Sequence, residues 1–283
     1  MKKIFTVLLC AVSIMFAQEN NIGNLVIIGG GKRPAEVLDK ITELAGGEKA
    51  KFAIIPMASS VPEEVGNELL EEFTDAGVKN VVVINCDSSG ADSDSVLFLM
   101  EGVTGVYFSG GDQNNLTKAL LGTKLIEKIH QIYNSGGVIS GTSAGAAVMS
   151  EIMITGDELL NDPDRESFST IRAGNIKTTE GFGFVKSAII DQHFVYRKRH
   201  NRLLSVMLEN PELLGIGIDE STCIWVKSDN TFEVMGKSQV IVYDAGETEI
   251  VKNGEGWFGA KSVKMHILLS GDKYSLTKKV ILK

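Results

Sequence analysis

Gly137-Val138-Ile139-Ser140-Gly141-Thr142-Ser143-Ala144-Gly145-Ala146 decides how this chain is read. A short apolar run enters a cluster of small residues, G-x-S-x-G at 141–145, and a helix is expected from near Ala144. A strand that turns sharply into a helix presents the side chain at the turn outward, and crowding at such an elbow demands small neighbours. Ser143 stands at that elbow as a candidate nucleophile. The Ala144 N–H, at the helix start, would face a developing oxyanion. In a chain with 30 glycines the plainer reading is a glycine-rich turn that happens to hold a serine. The strand–turn–helix setting favours the nucleophile.

Around this stretch, short apolar runs alternate with helical patterns. Runs at 24–28, 51–55, 81–84, 105–108 and 137–140 do not alternate in polarity, as strands covered on both faces require. Helical spacing fills 35–45, 61–76, 114–121 and 124–135. The rhythm predicts an α/β fold, a mostly parallel sheet with helices on both sides. Further on, runs at 188–190 and 214–218 read as two more strands around a helix at 199–210. Runs at 223–226, 231–235 and 240–243 read as a meander, with Ser228-Asp229-Asn230 as its hairpin turn. Strand-like runs near the end suggest a C-terminal β extension. The expected organisation is one α/β domain over 18–250 and that extension over 251–283.

In such a sheet, ligands sit beyond the carboxyl ends of the strands. Asp191-Gln192-His193 follows the run at 188–190 directly. A serine needs a base to take its proton, and of the four histidines only His193 follows a strand end. His130 lies in a helix, His200 at a basic helix start and His266 in the tail. The carboxylate that orients His193 is open between Glu220, at the end of the next strand, and Asp157, in the segment after the nucleophile helix. Ser109-Gly110-Gly111-Asp112-Gln113 also follows a strand. A glycine N–H there could meet an oxyanion, and Gln113 could hold a substrate amide or carboxylate. The plainer reading is a loop with Asp112 or Asn114 capping the helix. Arg197-Lys198-Arg199-His200-Asn201-Arg202 is dense positive charge close behind His193, and arginine forks bind carboxylates. Gly29-Gly30-Gly31-Lys32 lacks the spacing of a phosphate or dinucleotide loop and reads as a tight turn.

Composition sets the bounds. Lys and Arg number 28 against 36 Asp and Glu, a formal net charge of −8, with 43% hydrophobic residues and only 5 prolines. This excludes a disordered or collagen-like chain and argues against nucleic-acid binding, which needs a basic face. Met1-Lys2-Lys3, an apolar run over 4–16 and Ala17 follow the pattern of a secretory signal over 1–17. Met15 is an imperfect residue for the cleavage motif. Cys10 follows Leu9, which is bulky for lipidation. Export is therefore expected, with an uncleaved anchor as the alternative. Cys86 and Cys223 lie in or beside apolar runs and are expected to be free thiols, a disulfide being unreadable from sequence. No histidine or cysteine spacing supports a metal site, and no cofactor is expected.

Four motifs in order carry a resemblance: Ser109-Gly110-Gly111-Asp112-Gln113, Gly141-Thr142-Ser143-Ala144-Gly145-Ala146, Asp191-Gln192-His193-Phe194 and Gly215-Ile216-Gly217-Ile218-Asp219-Glu220. Together they resemble the cyanophycinase family of serine peptidases, which also contains aspartyl dipeptidase. The resemblance implies a flavodoxin-like, class I glutamine amidotransferase-like three-layer α/β/α fold. It implies Ser143 as nucleophile, His193 as base and Glu220 as orienting acid, with Gly111 and Ala144 at the oxyanion. Aspartyl-dipeptidase-like members draw their acid from nearer the position of Asp157. Gln113, Asp191, Gln192, Arg197, Arg199 and Arg202 match substrate-pocket positions. The implied substrate is cyanophycin, poly-aspartate with arginine on each side chain, cut to β-Asp-Arg dipeptides by a homodimer without metal. Two features depart from the family: the exported start, and an unfamiliar segment over 157–180. The competing expectations are an aspartyl or isoaspartyl dipeptidase acting on small peptides, a non-catalytic binding protein on the same fold and, least favoured by an elbow serine, a glutaminase.

Overall fold

A computed structural model describes residues 22–160 and 166–283 of the 283-residue chain. The expected signal over 1–17, with Cys10 and Met15, lies outside the described residues. The first half runs β1 (Asn24–Ile28), α1 (Ala35–Leu44), β2 (Lys51–Ile55), α2 (Pro62–Asp75), β3 (Asn80–Val83), α3 (Ser88–Ala91), α4 (Asp94–Leu99), β4 (Gly105–Phe108), α5 (Gln113–Leu120), α6 (Lys124–Asn134), β5 (Val138–Thr142) and α7 (Ala144–Ala147). There follow β6 (Ile152–Glu158), β7 (Ile176–Glu180), β8 (Ala188–Gln192), α8 (His200–Glu209), β9 (Leu214–Ile218), β10 (Thr222–Val226), β11 (Thr231–Gly236) and β12 (Val240–Asp244). The end of the chain holds β13 (Glu249–Lys252), β14 (Phe258–Lys261), β15 (Lys264–Leu268), β16 (Lys273–Ser275) and β17 (Val280–Leu282).

The central sheet has nine strands in the order β17-β16-β11-β10-β1-β5-β4-β2-β3. From β1 to β3 every pairing is parallel; from β1 outward through β10 every pairing is antiparallel. A second sheet, β15-β12-β9-β8, continues the β/α rhythm through the parallel pair β8 and β9. Local chemistry explains the helices. Pro62 opens α2 with Glu63 and Glu64 in its first turn, where the missing N–H and the helix dipole suit them. Thr123 caps α6, whose Leu125, Ile126, Ile129 and Ile132 share a buried face. Asp112 caps α5 by accepting from the Asn114 N–H.

Two apolar layers sandwich the sheet. One packs Val37, Ile41 and Phe73 of α1 and α2 on Val26, Phe52 and Tyr107. The other packs Leu116, Ile129 and Val148 on Ile27, Ile55 and Phe108 and runs on to Ile190 and Ile216 in the second sheet. This is the three-layer α/β/α arrangement that the sequence predicts. The expected meander needs one correction. β10 and β11 pair, but β12 pairs with β9 and β15. Gly236, at φ 111°, turns the chain: a Cβ there would lie 2.3 Å from the Ser221 carbonyl oxygen. The chain then crosses to the second sheet. In the last segment, β15 joins the second sheet while β16 and β17 finish the first.

Candidate active site

The elbow after β5 is strained. Ser143 sits at φ 53°, ψ −109°, a backbone conformation that persists only when its surroundings hold it. A Cβ on Gly141 would lie 2.5 Å from the Gly145 carbonyl oxygen, and one on Gly145 would lie 2.3 Å from that of Phe108. Small residues are therefore obligatory, as the motif implies. The Ala146 and Ala147 N–H groups donate to the Ser143 carbonyl at 2.9 and 3.0 Å and start α7 behind it.

Three groups meet beyond the strand ends. Ser143 Oγ lies 2.9 Å from His193 Nε2, and His193 Nδ1 lies 2.6 Å from Glu220 Oε1. The His193 side chain is 10% exposed and that of Glu220 27%. Burial, aided by Arg197 and Arg199, pulls the His193 pKa below its ordinary 6.5, against the raising pull of Glu220. A neutral imidazole with its proton on Nδ1 donates to Glu220 and leaves Nε2 free to accept from the Ser143 hydroxyl.

The end of β1 holds all three in register. The Ile28 carbonyl accepts from the Ser143 N–H at 3.0 Å, the Gly29 carbonyl from His193 at 2.7 Å, and the Gly30 carbonyl from Ser221, next to Glu220, at 2.7 Å. The glycines also make room. A Cβ on Gly30 would lie 2.3 Å from the His193 ring, and one on Gly31 would lie 2.9 Å from Glu220 Cβ. In sequence these glycines read only as a tight turn. The missed signal was their place at the end of a buried apolar run, where neighbouring strand ends bring large side chains.

The Ala144 and Gly111 N–H groups have no acceptor among the described residues. Gly110 lies against Ser143, its absent Cβ 3.4 Å from the serine Cβ. Gly111 is at φ 141° and so close to Ala58 that a Cβ would fall 2.0 Å from the Ala58 carbonyl oxygen. Both fix the loop beside the nucleophile.

The expected pocket residues divide. Asp191 and Arg202 are 1% and 2% exposed and bind each other, Arg202 Nε to Oδ2 at 2.7 Å and Nη2 to Oδ1. Neither has surface left for a ligand. Gln192 is buried and accepts from Arg199 Nη1 at 2.6 Å through Oε1 and at 2.8 Å through its carbonyl. Burial, with Arg202 and Arg197 nearby and Asp191 opposing, pushes the Arg199 pKa down to about 10. Arg197 is exposed. Gln113 Nε2 donates to the Ile154 and Thr155 carbonyls at 2.8 and 2.7 Å, so its amide nitrogen ties α5 to β6 rather than reaching outward. Asp157 is not brought to the site. It pairs with Lys177 at 3.3 Å and is 57% exposed, while the His193 Nδ1 is occupied by Glu220.

The other histidines serve packing. His130 stacks on Phe184, His200 Nδ1 lies 2.8 Å from the Tyr243 hydroxyl, and His266 tilts against Tyr274. Cys86 and Cys223 are free, and burial pushes the Cys223 thiol pKa up. Among the described residues, no group of His, Cys, Asp or Glu is placed to hold a metal ion.

Known proteins share this architecture. A peptidase from an acI-B1 Actinobacterium aligns with a TM-score of 0.67 and 24% identity, over 90% of this chain and 97% of that one. The cyanophycinase of Geminocystis herdmanii is 35% identical over 262 residues, 89% of this chain and 93% of its own. That of Trichormus variabilis is 33% identical over 269 residues, 91% of this chain and 87% of its own. The model of Peptidase family S51 matches residues 25–234, which include all four motifs. A match of that extent, with relatives aligned over nearly all of the chain, leaves one conclusion: the chain belongs to peptidase family S51 and is a serine-type peptidase.

Proposed function

We propose that this peptidase is an exported cyanophycinase that cuts poly-aspartate bearing arginine side chains to β-Asp-Arg dipeptides through an acyl-enzyme on Ser143. The observation that carries the reading is the continuous hydrogen-bonded relay Ser143–His193–Glu220 at the strand ends. His193 Nε2 takes the Ser143 proton as Oγ attacks a backbone carbonyl of the polymer. Negative charge gathers on the carbonyl oxygen, where the Ala144 N–H and the Gly111 N–H receive it. His193 then gives its proton to the leaving amine, and water hydrolyses the ester. Glu220 keeps the proton on Nδ1 and stabilises the imidazolium while it exists. Arg197 and Arg199 supply positive charge for the arginine carboxylates of the side arms. The buried Asp191–Arg202 pair backs Gln192 and Arg199 without touching substrate.

Export rests on the pattern of residues 1–17. For the homodimer, support comes from the exposed Met265, Ile267 and Leu269 on and beside edge strand β15. Cell fractionation and light scattering test these two parts.

The decisive assay incubates the protein and Ser143→Ala with cyanophycin, with β-Asp-Arg and with α-Asp dipeptides. Polymer turnover by the parent alone supports the proposal. Cleavage of dipeptides only would replace the substrate and keep the chemistry. Full activity in Ser143→Ala would overturn the mechanism.

A further inference from the structure

Beside Glu220, the turn that follows β1 is tied down by one long side chain. Arg33 reaches from this turn to Glu72 on α2: Nε lies 2.9 Å from Oε1 and 3.0 Å from Oε2, and Nη2 also meets Oε2. The two side chains are 22% and 27% exposed. This fork-on-carboxylate geometry fixes direction as well as distance. The guanidinium stands 5.9 Å from the centre of the Tyr107 ring on β4. The Tyr107 hydroxyl, near both Arg33 and Thr142, is pushed up to about 12, chiefly by burial.

The turn itself needs such an anchor. The Gly29 and Gly30 carbonyls hold the backbones of His193 and Ser221, and Ile28 just before them holds that of Ser143, yet Gly29, Gly30 and Gly31 have no side chains to fix them. Gly30 and Gly31 have φ of 121° and 68°, conformations bought with the extra freedom glycine has when unfolded. Lys32 is exposed. Arg33 is the first side chain after the glycines that is gripped by another element.

We propose that Arg33, held by Glu72, is a positioning residue for the Ser143–His193–Glu220 relay, fixing the glycine turn that sets His193 and Glu220 against Ser143. The inference depends on the catalytic reading of those three residues. It assigns Arg33 no contact with substrate. Loosening the turn lets His193 and Glu220 drift from Ser143, and misplacement by an ångström lowers a rate by about 100-fold.

The test measures the rate at which a fluorophosphonate labels Ser143, together with cyanophycin kinetics and the far-downfield proton resonance of the His193 Nδ1–H. Ser143→Ala is the unlabelled control. Arg33→Ala and Glu72→Ala are expected to slow labelling by about 10- to 100-fold, weaken the resonance and leave KM within about twofold. The double variant should lose no more than either single one, because both break the same contact. Arg33→Lys, which keeps the charge without the fork, should fall between.

Labelling of Arg33→Ala at the parent rate would overturn the proposal, as would losses that multiply in the double variant. A defect in KM alone would also overturn it and would place Arg33 in substrate binding, through the adjoining cavity of about 630 Å³ lined by Lys32, Ser221 and Lys237. If Arg33→Ala fails to fold, Arg33→Lys and Glu72→Gln carry the test, and unchanged labelling and resonance in both refute the idea. A parent that resists the reagent defeats the catalytic reading instead, and the His193 resonance then still reports whether Arg33 holds the geometry.

Discussion

Glu220 and Asp157 carry the same charge and differ in what they face. Glu220→Gln removes the group that orients His193 and balances its charge, so kcat is expected to fall by about 10³- to 10⁴-fold, whereas Asp157→Asn leaves it within about twofold. Steady-state kinetics on the two variants decide this; equal losses would leave the acid unassigned. The titration of His193 gives a second expectation. Only the neutral imidazole can act as base, and burial lowers its pKa, so activity persists below pH 6.5 and is lost as pH falls through that lowered value. Arg197 adds to the lowering, so Arg197→Gln should move the acid limb of kcat/KM upward. A limb that moves down would contradict the placement of Arg197. Ser143 and His193 are legible because each follows an apolar run and strand ends converge in a parallel sheet; Glu220 and Asp157 both follow such runs, and only the packed sheets show which one meets His193. The fate of Asp191 and Arg202 is not legible. Two charges eleven positions apart on a strand and a helix reveal their mutual burial only once the layers are packed.

β1 does more than fill the sheet, because its last residues set the backbone of the site. Gly30→Ala combines an unfavourable φ with a Cβ only 2.3 Å from the His193 ring. It should lower kcat by about 100-fold or more while the chain still folds, with a stability loss of about 1–3 kcal/mol. Gly77, at φ 94° with nothing within 4 Å of its missing Cβ, is the control. Gly77→Ala should lose stability of the same order and keep its activity. Thermal melts and turnover on both variants separate strain from steric collision. At this scale the buried parallel strands were readable from unbroken apolar runs. β12 was misassigned because an apolar strand looks the same in sequence whichever sheet it enters. β7 escaped notice because it is largely exposed and polar, Ile-Lys-Thr-Thr-Glu, with no run to mark it.

Across the molecule, the last strands seal what the first ones begin. β16 covers the open side of β11, and Tyr274 stacks on Phe232 with ring centres 5.5 Å apart. Truncation after Leu269 would bare that edge and the Phe232 ring, so the shortened chain should aggregate. Soluble, monodisperse truncated protein would show that β16 and β17 are dispensable. The acidic sum and the local arginines were visible in composition, but not the distance the chain travels to join them. That distance has a consequence for when the enzyme becomes dangerous. The turn that registers the relay is made first, at residues 28–31, while Ser143, His193 and Glu220 emerge from the ribosome in succession, the last when most of the chain is already out. A growing or unfolded chain therefore carries the template without the complete set it aligns. A chain released before Glu220 is made would hold that template beside an incomplete relay.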